Sequence, residues 1–247
     1  MKDNFVILDI ETNVQENSPM EEHFHVIQIG AIKITDGDFK NHLNFNQYIR
    51  PVNVLQYPVL PLGGEALTDF IQKLTKIQQE TVNHARAFPD VWEEFLDFCD
   101  PYFEFFVSWG LYDWEVLQRV CKFYDLNFPF RYHVNLKDYY KTYFEKEEVR
   151  MGFGVKAASE YFGLVFNAEG AHNGYEDTKM ITAIAEKMIE KGFYTFKKGY
   201  YEFKVGKIVP CEFSNWLISP VLVKKYKEMQ KRSSEMEQYL FAASGNR

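Results

Sequence analysis

An α/β fold, a mixed β-sheet with helices packed on it, is what the order of the apolar segments predicts. Three observations carry this. Three β-forming segments follow one another over residues 5–49. Helical periodicity dominates afterwards, and one further apolar run, FEFFVSW at 103–109, interrupts the helices as a buried-strand candidate. Elements in that order are satisfied by a sheet covered with helices. No internal repeat is present.

The first segment, FVILDI at 5–10, is short, apolar and rich in β-formers, and reads as a central strand. HVIQIGAIKI at 25–34 is the second strand. Residues 38–49 are the third, with Phe39, Phe45 and Tyr48 in weak alternation, and Asp36-Gly37 supplies the turn between them. The link that follows holds Pro51, Pro58, Pro61 and Gly63-Gly64, so it is not regular sheet. Residues 66–73 form a short helix candidate. AFPDVWEEFLDFC at 87–99 sets Val91, Phe95, Phe98 and Cys99 on one stripe. Residues 112–124 are helical by the spacing of Val116, Leu117, Val120 and Tyr124. A short strand near 132–136 and helices over 135–144, 154–162 and 174–190 complete this part. The boundary of the main domain is set at 191. Residues 192–247 form a C-terminal extension, read as a hairpin around Gly199 and Gly206 followed by a charged helix at 221–240.

Composition narrows the function classes. Aromatic residues make up 17% of the 247 residues, which excludes a disordered or low-complexity chain. A net charge of −7 excludes a wholly basic nucleic-acid coat, but not an enzyme acting on nucleic acid, because local charge and bound cations outweigh the total. No apolar run is long enough to span a membrane, and the start MKDNFVILDI has no cleavable apolar leader. Cys99, Cys121 and Cys211 are isolated and odd in number, so neither a disulfide framework nor a zinc knuckle is expected. The expected setting is reducing and cytoplasmic.

Carboxylates occupy positions where apolar residues belong. Asp9 and Glu11 close the first strand and, two apart, share one face. The alternative is a strand that has ended, with both acids in solvent. Asp113 lies on the apolar stripe of its helix, in the first turn, where the helix dipole alone would also favour an acid. Asn173 and Glu176 have capping-box spacing, which starts the last helix at Gly174. Asp177 then shares a stripe with Ile181, Ile184 and Met188. His172 stands on the loop just before the cap. Four inward acids need compensating cations. With six histidines and no cysteine cluster, an all-carboxylate set suits Mg²⁺ or Mn²⁺ better than zinc. Two such ions about 4 Å apart clamp the attacking and leaving oxygens of a phosphodiester, and a neutral histidine can take the proton from the attacking water.

Taken together, FVILDIET, SWGLYD and HNGYED resemble the three motifs of the DEDD-type 3′–5′ exonucleases, histidine subclass. The family's Asp-x-Glu, later Asp, and His with an Asp five residues on fall on Asp9, Glu11, Asp113, His172 and Asp177. The likeness extends to LTKIQQETVNHARAFPDVWEEFLDF and VNLKDYY, and is similar in texture to the branch that trims small RNAs, histone messenger ends and ribosomal RNA. It spans roughly residues 5–191 and implies a ribonuclease H-like mixed sheet of five strands flanked by helices. It also implies that Thr12 positions the terminal nucleotide and that Trp109 stands near the same pocket, a core tryptophan being the other reading of the latter.

The function expected is metal-dependent hydrolysis at a single-stranded 3′ end, using two Mg²⁺ or Mn²⁺ ions and releasing nucleoside 5′-monophosphates, with RNA or short oligonucleotides favoured. A DNA-trimming exonuclease and a non-catalytic module that binds nucleic acid or protein are the alternatives. The intact five-residue set weighs against the last, because unused inward acids cost stability. The aromatic-basic stretch 193–207 is read as a nucleic-acid contact, a hairpin covering the domain or a dimer contact.

Overall fold

The computed structural model describes residues 4–19, 25–51, 66–99, 105–130, 132–146, 152–191, 194–197, 200–203 and 209–210. Five strands build the main sheet: β1 (Phe5–Thr12), β2 (Val26–Thr35), β3 (Asp38–Tyr48), β4 (Phe105–Ser108) and β5 (Tyr132–Asn135). Their spatial order is β3-β2-β1-β4-β5, with the first three antiparallel and β4 and β5 parallel to β1. The expected central place of β1 and the mixed sheet of five strands are both observed. Beyond β5, the two-residue β8 (Val209–Pro210) adds an antiparallel pairing at the edge. A separate hairpin joins β6 (Tyr194–Lys197) to β7 (Tyr200–Phe203), as the spacing around Gly199 predicts. The proline-rich link after Pro51 and the helix expected at 221–240 lie outside the described residues.

Seven helices are described: α1 (Asp69–Thr75), α2 (Gln79–Asn83), α3 (Phe88–Cys99), α4 (Tyr112–Tyr124), α5 (Leu136–Lys146), α6 (Val155–Tyr161) and α7 (Gly174–Glu190). The reading of the sequence missed α2, whose single buried residue, Val82, gives no amphipathic period to detect. It placed α1 three residues early, because Thr68 is the N-cap and accepts from the Ile71 amide. Among the described residues, no helix is long and apolar enough to cross a membrane.

Both faces of β1 and β2 are buried, which explains why these strands read as nearly continuous apolar runs. On one face Val6, Leu8 and Ile10 pack with Trp92, Phe95, Leu117 and Val120 of α3 and α4. On the other, Phe5 and Ile7 pack with Val107, Val134, Tyr140 and the α7 stripe Ile181, Ile184, Ala185 and Met188. Each such fully buried side chain contributes about 1.5–3 kcal/mol. A smaller cluster, Ile27, Leu67, Ile71, Ile77 and Val82, seats α1 and α2 at the carboxyl end of β1. The two-residue period of β1 decides what comes next, because the face that carries Phe5 and Ile7 continues into Asp9 and Glu11.

Candidate active site

The acids of β1 meet α7 at its first turn. Asp9 pairs with Gly30 of β2, and Gly30 is where α7 touches the sheet. A Cβ on Gly30 would lie 2.4 Å from the backbone of Gly174 and Tyr175. Opposite it, a Cβ on Gly174 would come within 3.1 Å of the Asp9 carbonyl. Two glycines face to face therefore allow the helix to start against the strand pair. Polar side chains fix it there. The Asn173 side chain accepts from the amides of Tyr175 and Glu176, which caps α7 as expected. The reciprocal half of the capping box is absent, because the Glu176 carboxylate pairs with Lys179 at 2.6 Å instead. Gln28, fully buried in β2, accepts from the Gly174 amide at 3.0 Å and donates to Asn46 and Asn173. The Thr178 hydroxyl donates to the Gly30 carbonyl at 2.8 Å and also lies against the Gly174 carbonyl.

With α7 so seated, carboxylate oxygens of Asp9, Glu11 and Asp177 all lie within 4.8 Å of one another. Glu11 is buried, whereas Asp9 and Asp177 are partly so. Among the described residues, no lysine or arginine forms an ion pair with any of the three. Their acidities record the missing countercharge. Burial, reinforced by Asp113, Glu11 and Asp177, raises Asp9 well above the usual carboxylate range. Burial and the charges of Asp177 and Asp113 push Glu11 up to about 8. Asp177 is also raised by burial, although the His172 amide, donating to its Oδ2 at 2.9 Å, works against the rise. Three oxygen donors crowded together against their own repulsion fit a hard divalent cation.

Asp113 stands next to this cluster rather than inside it. β4 ends at Ser108, so the Ile10 amide of β1 meets no strand partner there, and Asp113 Oδ1 accepts from it at 3.1 Å. Burial raises Asp113 to about 6, opposed by hydrogen bonds from the Ile10 amide, its own amide and the Ser108 hydroxyl. Its charge still reaches Asp9 and Glu11. Of the four acids expected to converge, three are mutually close, and Asp113 is linked to them by its charge and by its bond to the Ile10 amide of the same strand.

His172 is exposed, in left-handed backbone (φ 61°), with its amide turned to Asp177. Thr12 is buried at the end of β1, just past a register shift, and its hydroxyl lies 2.6 Å from the Tyr112 hydroxyl. Burial raises Tyr112 to about 12, so that hydroxyl keeps its proton. Trp109 is partly buried against Tyr140, and its indole N–H donates to the Phe153 carbonyl at 3.1 Å. The residues that seat the site, Gln28, Gly30, Ser108 and Thr178, escaped the reading of the sequence. A glutamine and a glycine inside an apolar strand were the signal, since interior glycine marks a close backbone approach.

Comparisons with known proteins give the family and the fold. The family model described as Exonuclease, of the RNase T type, matches residues 6–185. Curated relatives called 3′-5′ exoribonuclease 1 are 24% identical over 200 residues in Rattus norvegicus and 23% over 199 residues in Homo sapiens. Each alignment takes in 77% of this chain, while the chain spans about half the length of these relatives, 54% and 53% respectively. The nuclease domain of 3′hExo, a DEDDh family member solved with rAMP, superposes with a TM-score of 0.63 at 22% identity, over 84% of this chain and 98% of that one. A 3′-exonuclease solved for its recognition of the histone mRNA stem-loop gives a TM-score of 0.64 at 22% identity, over 86% and 92%. Exonuclease I of E. coli with a single-stranded oligonucleotide gives 0.58 at 14% identity, over 77% and 41%. The family match covers well over half the chain, and the chain belongs to the exonuclease family.

Proposed function

We propose that this chain is a metal-dependent 3′–5′ exonuclease that hydrolyses the last phosphodiester bond of a single-stranded nucleic acid, with RNA or short oligonucleotides preferred to DNA. One observation carries the reading: three carboxylates packed within 4.8 Å, without a paired lysine or arginine among the described residues, in a chain of the exonuclease family. The names of the curated relatives support the preference for RNA.

Asp9, Glu11 and Asp177 would hold the cations, with Asp113 joining from its adjacent position. Bound Mg²⁺ or Mn²⁺, two ions in this reading, supplies charge neutralisation at the scissile phosphate and a more acidic attacking water. The protein supplies the rest. His172, exposed beside Asp177, accepts the proton of the attacking water. The oxygen of that water bonds to phosphorus as the bond to the 3′ oxygen breaks, so the released nucleotide keeps its phosphate on the 5′ side. Thr12, held against Tyr112, lines the slot for the terminal nucleotide. Residues 1–191 form the exonuclease domain in this reading, and 192–247 are an extension whose β8 docks on the sheet edge. Buried free thiols at Cys99 and Cys121 suit a reducing cytoplasm.

The test compares linear and circular forms of one single-stranded sequence, as RNA and as DNA, with Mn²⁺ present. Linear RNA is expected to lose nucleotides from its 3′ end and circles to stay intact, while Asp9→Asn leaves both uncut. Efficient cutting of circles would make the protein an endonuclease and overturn the proposal.

A further inference from the structure

Gln28 has no part in the chemistry above, yet it stands in the same row as the acids of β1. It pairs in register with Glu11, and Gly30 two residues on pairs with Asp9. Residues directly opposite in an antiparallel pair share a face, so the fully buried Gln28 side chain lies beside that of Glu11. Its carboxamide reaches from there to the start of α7. Oε1 accepts from the Gly174 amide at 3.0 Å, and Nε2 donates to Asn46 Oδ1 at 2.9 Å and to Asn173 Oδ1 at 3.3 Å. These partners fix which way the carboxamide points. Gly174 offers an N–H, so the atom facing it is oxygen, and the two hydrogens on Nε2 meet two acceptors.

The opening amides of a helix have no partner within it. Those of Tyr175 and Glu176 go to Asn173 Oδ1, at 3.2 and 3.3 Å. That of Gly174 depends on Gln28, a side chain 146 residues away. The residue before this pair gives the bond its reach. His172 is in left-handed backbone, φ 61°, which a non-glycine residue keeps only where its surroundings hold it. On one side the hold is its own amide, donating to Asp177 Oδ2 at 2.9 Å. On the other it is Asn173 and Gly174, both bonded to Gln28. The exposed histidine and the helix-borne acid are thus joined to one short segment, and that segment is fastened to the strand beside Glu11.

We propose that Gln28 is a positioning residue for the reaction: by bonding Asn173 and Gly174 it sets the place of both His172 and Asp177 against the acids of β1. The inference rests on the reading of Asp177 as a cation ligand and of His172 as the proton acceptor. Gln28→Met keeps the length of the side chain and removes every bond it makes. The Gly174 N–H is then buried without its acceptor, a state that a folded chain relieves by shifting the group toward another partner or toward water. Any such shift moves the start of α7, and it carries His172 and Asp177 together.

The experiment uses the full chain and two readouts. Mn²⁺ binding is measured by titration calorimetry, apart from turnover, and single-turnover cleavage of a short single-stranded RNA is measured at saturating Mn²⁺. Gln28→Met should bind Mn²⁺ roughly tenfold more weakly, as for a lost group that supports a ligand. Its cleavage should slow by roughly tenfold or more, since moving a reacting group by about 1 Å can cost about 10²-fold. In the His172→Ala background the same substitution should change the rate little, because the group it places is gone. A folded Gln28→Met that melts earlier but binds Mn²⁺ and cleaves like the parent would make Gln28 a stabilising residue only and overturn the proposal. Rate losses that multiply in the double variant would overturn the action through His172. Should Gln28→Met fail to fold, Gln28→Asn takes its place with the same expected and overturning results, since its carboxamide stays polar but falls one methylene short of Gly174. Asp177→Asn separates the two levels of argument. Parent-like Mn²⁺ binding by that variant removes Asp177 from the cation site and the inference with it, whereas weak binding beside a parent-like Gln28→Met removes only the role of Gln28.

Discussion

Two helix starts deliver acids to the carboxyl end of β1, and they are built in opposite ways. α7 begins at a capped turn, pressed against Gly30, with Gln28 and Thr178 bonding its first residues from the strand beneath. α4 begins after Leu111, which offers no side-chain cap, and its first turn is tied to the sheet by Asp113 itself. In α7 the scaffold holds the helix and leaves Asp177 to project into the cluster. In α4 Asp113 does the holding. Each acid accepts a backbone amide, but Asp177 takes a local one, that of His172 five residues before it, whereas Asp113 takes that of Ile10 in β1.

The largest expected effect tests the α7 side. His172→Ala removes the proposed proton acceptor and should lower single-turnover cleavage by about 10²–10⁴-fold, the range for a lost general acid–base. Substrate binding measured in Ca²⁺ should change far less, because the carboxylates remain. Unchanged cleavage would take His172 out of the chemistry and leave only its backbone role at Asp177.

Next in size is a pair of glycine substitutions. Gly30→Ala drives a Cβ into the backbone of Gly174 and Tyr175, and nothing there is the far end of a flexible side chain. A cost of about 1–3 kcal/mol is expected from overpacking, with weakened Mn²⁺ binding as Asp177 moves. Gly110→Ala, before α4, meets open space and pays only for its φ of 122°. Its melting temperature should fall while Mn²⁺ affinity changes less. Equal loss of affinity in both variants would erase the contrast between the two helix starts.

The smallest effect is a dependence of stability on pH. Asp9, Glu11, Asp113 and Asp177 all have raised pKa values in the folded protein, so the native state binds more protons than the unfolded chain between about pH 4 and the folded values. Stability of the metal-free protein is then greatest at acid pH and declines as pH rises through about 6 for Asp113 and about 8 for Glu11. Thermal melts in chelator at pH 5 and pH 8 should show the decline. Asp9→Asn should flatten it by removing one of the repelling charges. A metal-free protein that grows more stable over this range would contradict the crowding of the carboxylates.

The difference between the helix starts also explains what could be read from the sequence. Asp177 was legible because its side chain keeps the phase of Ile181, Ile184 and Met188, and Asn173 announces the cap. Asp9 and Glu11 were legible from the two-residue period of a strand. The fate of Asp113 was not. Its helical phase marks it as inward, but its bond to the Ile10 amide depends on β4 stopping at Ser108, nearly a hundred residues away from Ile10 in sequence. Gln28 and Gly30 could have been noticed as departures from an apolar strand, but their partner, the start of α7, lies most of the chain away.

That distance along the chain has a consequence for the protein while it is being made. Asp9 and Glu11 leave the ribosome long before Asp177, which follows only after every strand of the five-stranded sheet has emerged. Before α7 docks on Gly30, the two early acids lack the third carboxylate of their cluster. Under the proposed function, competence would therefore arrive late in synthesis, as a by-product of topology.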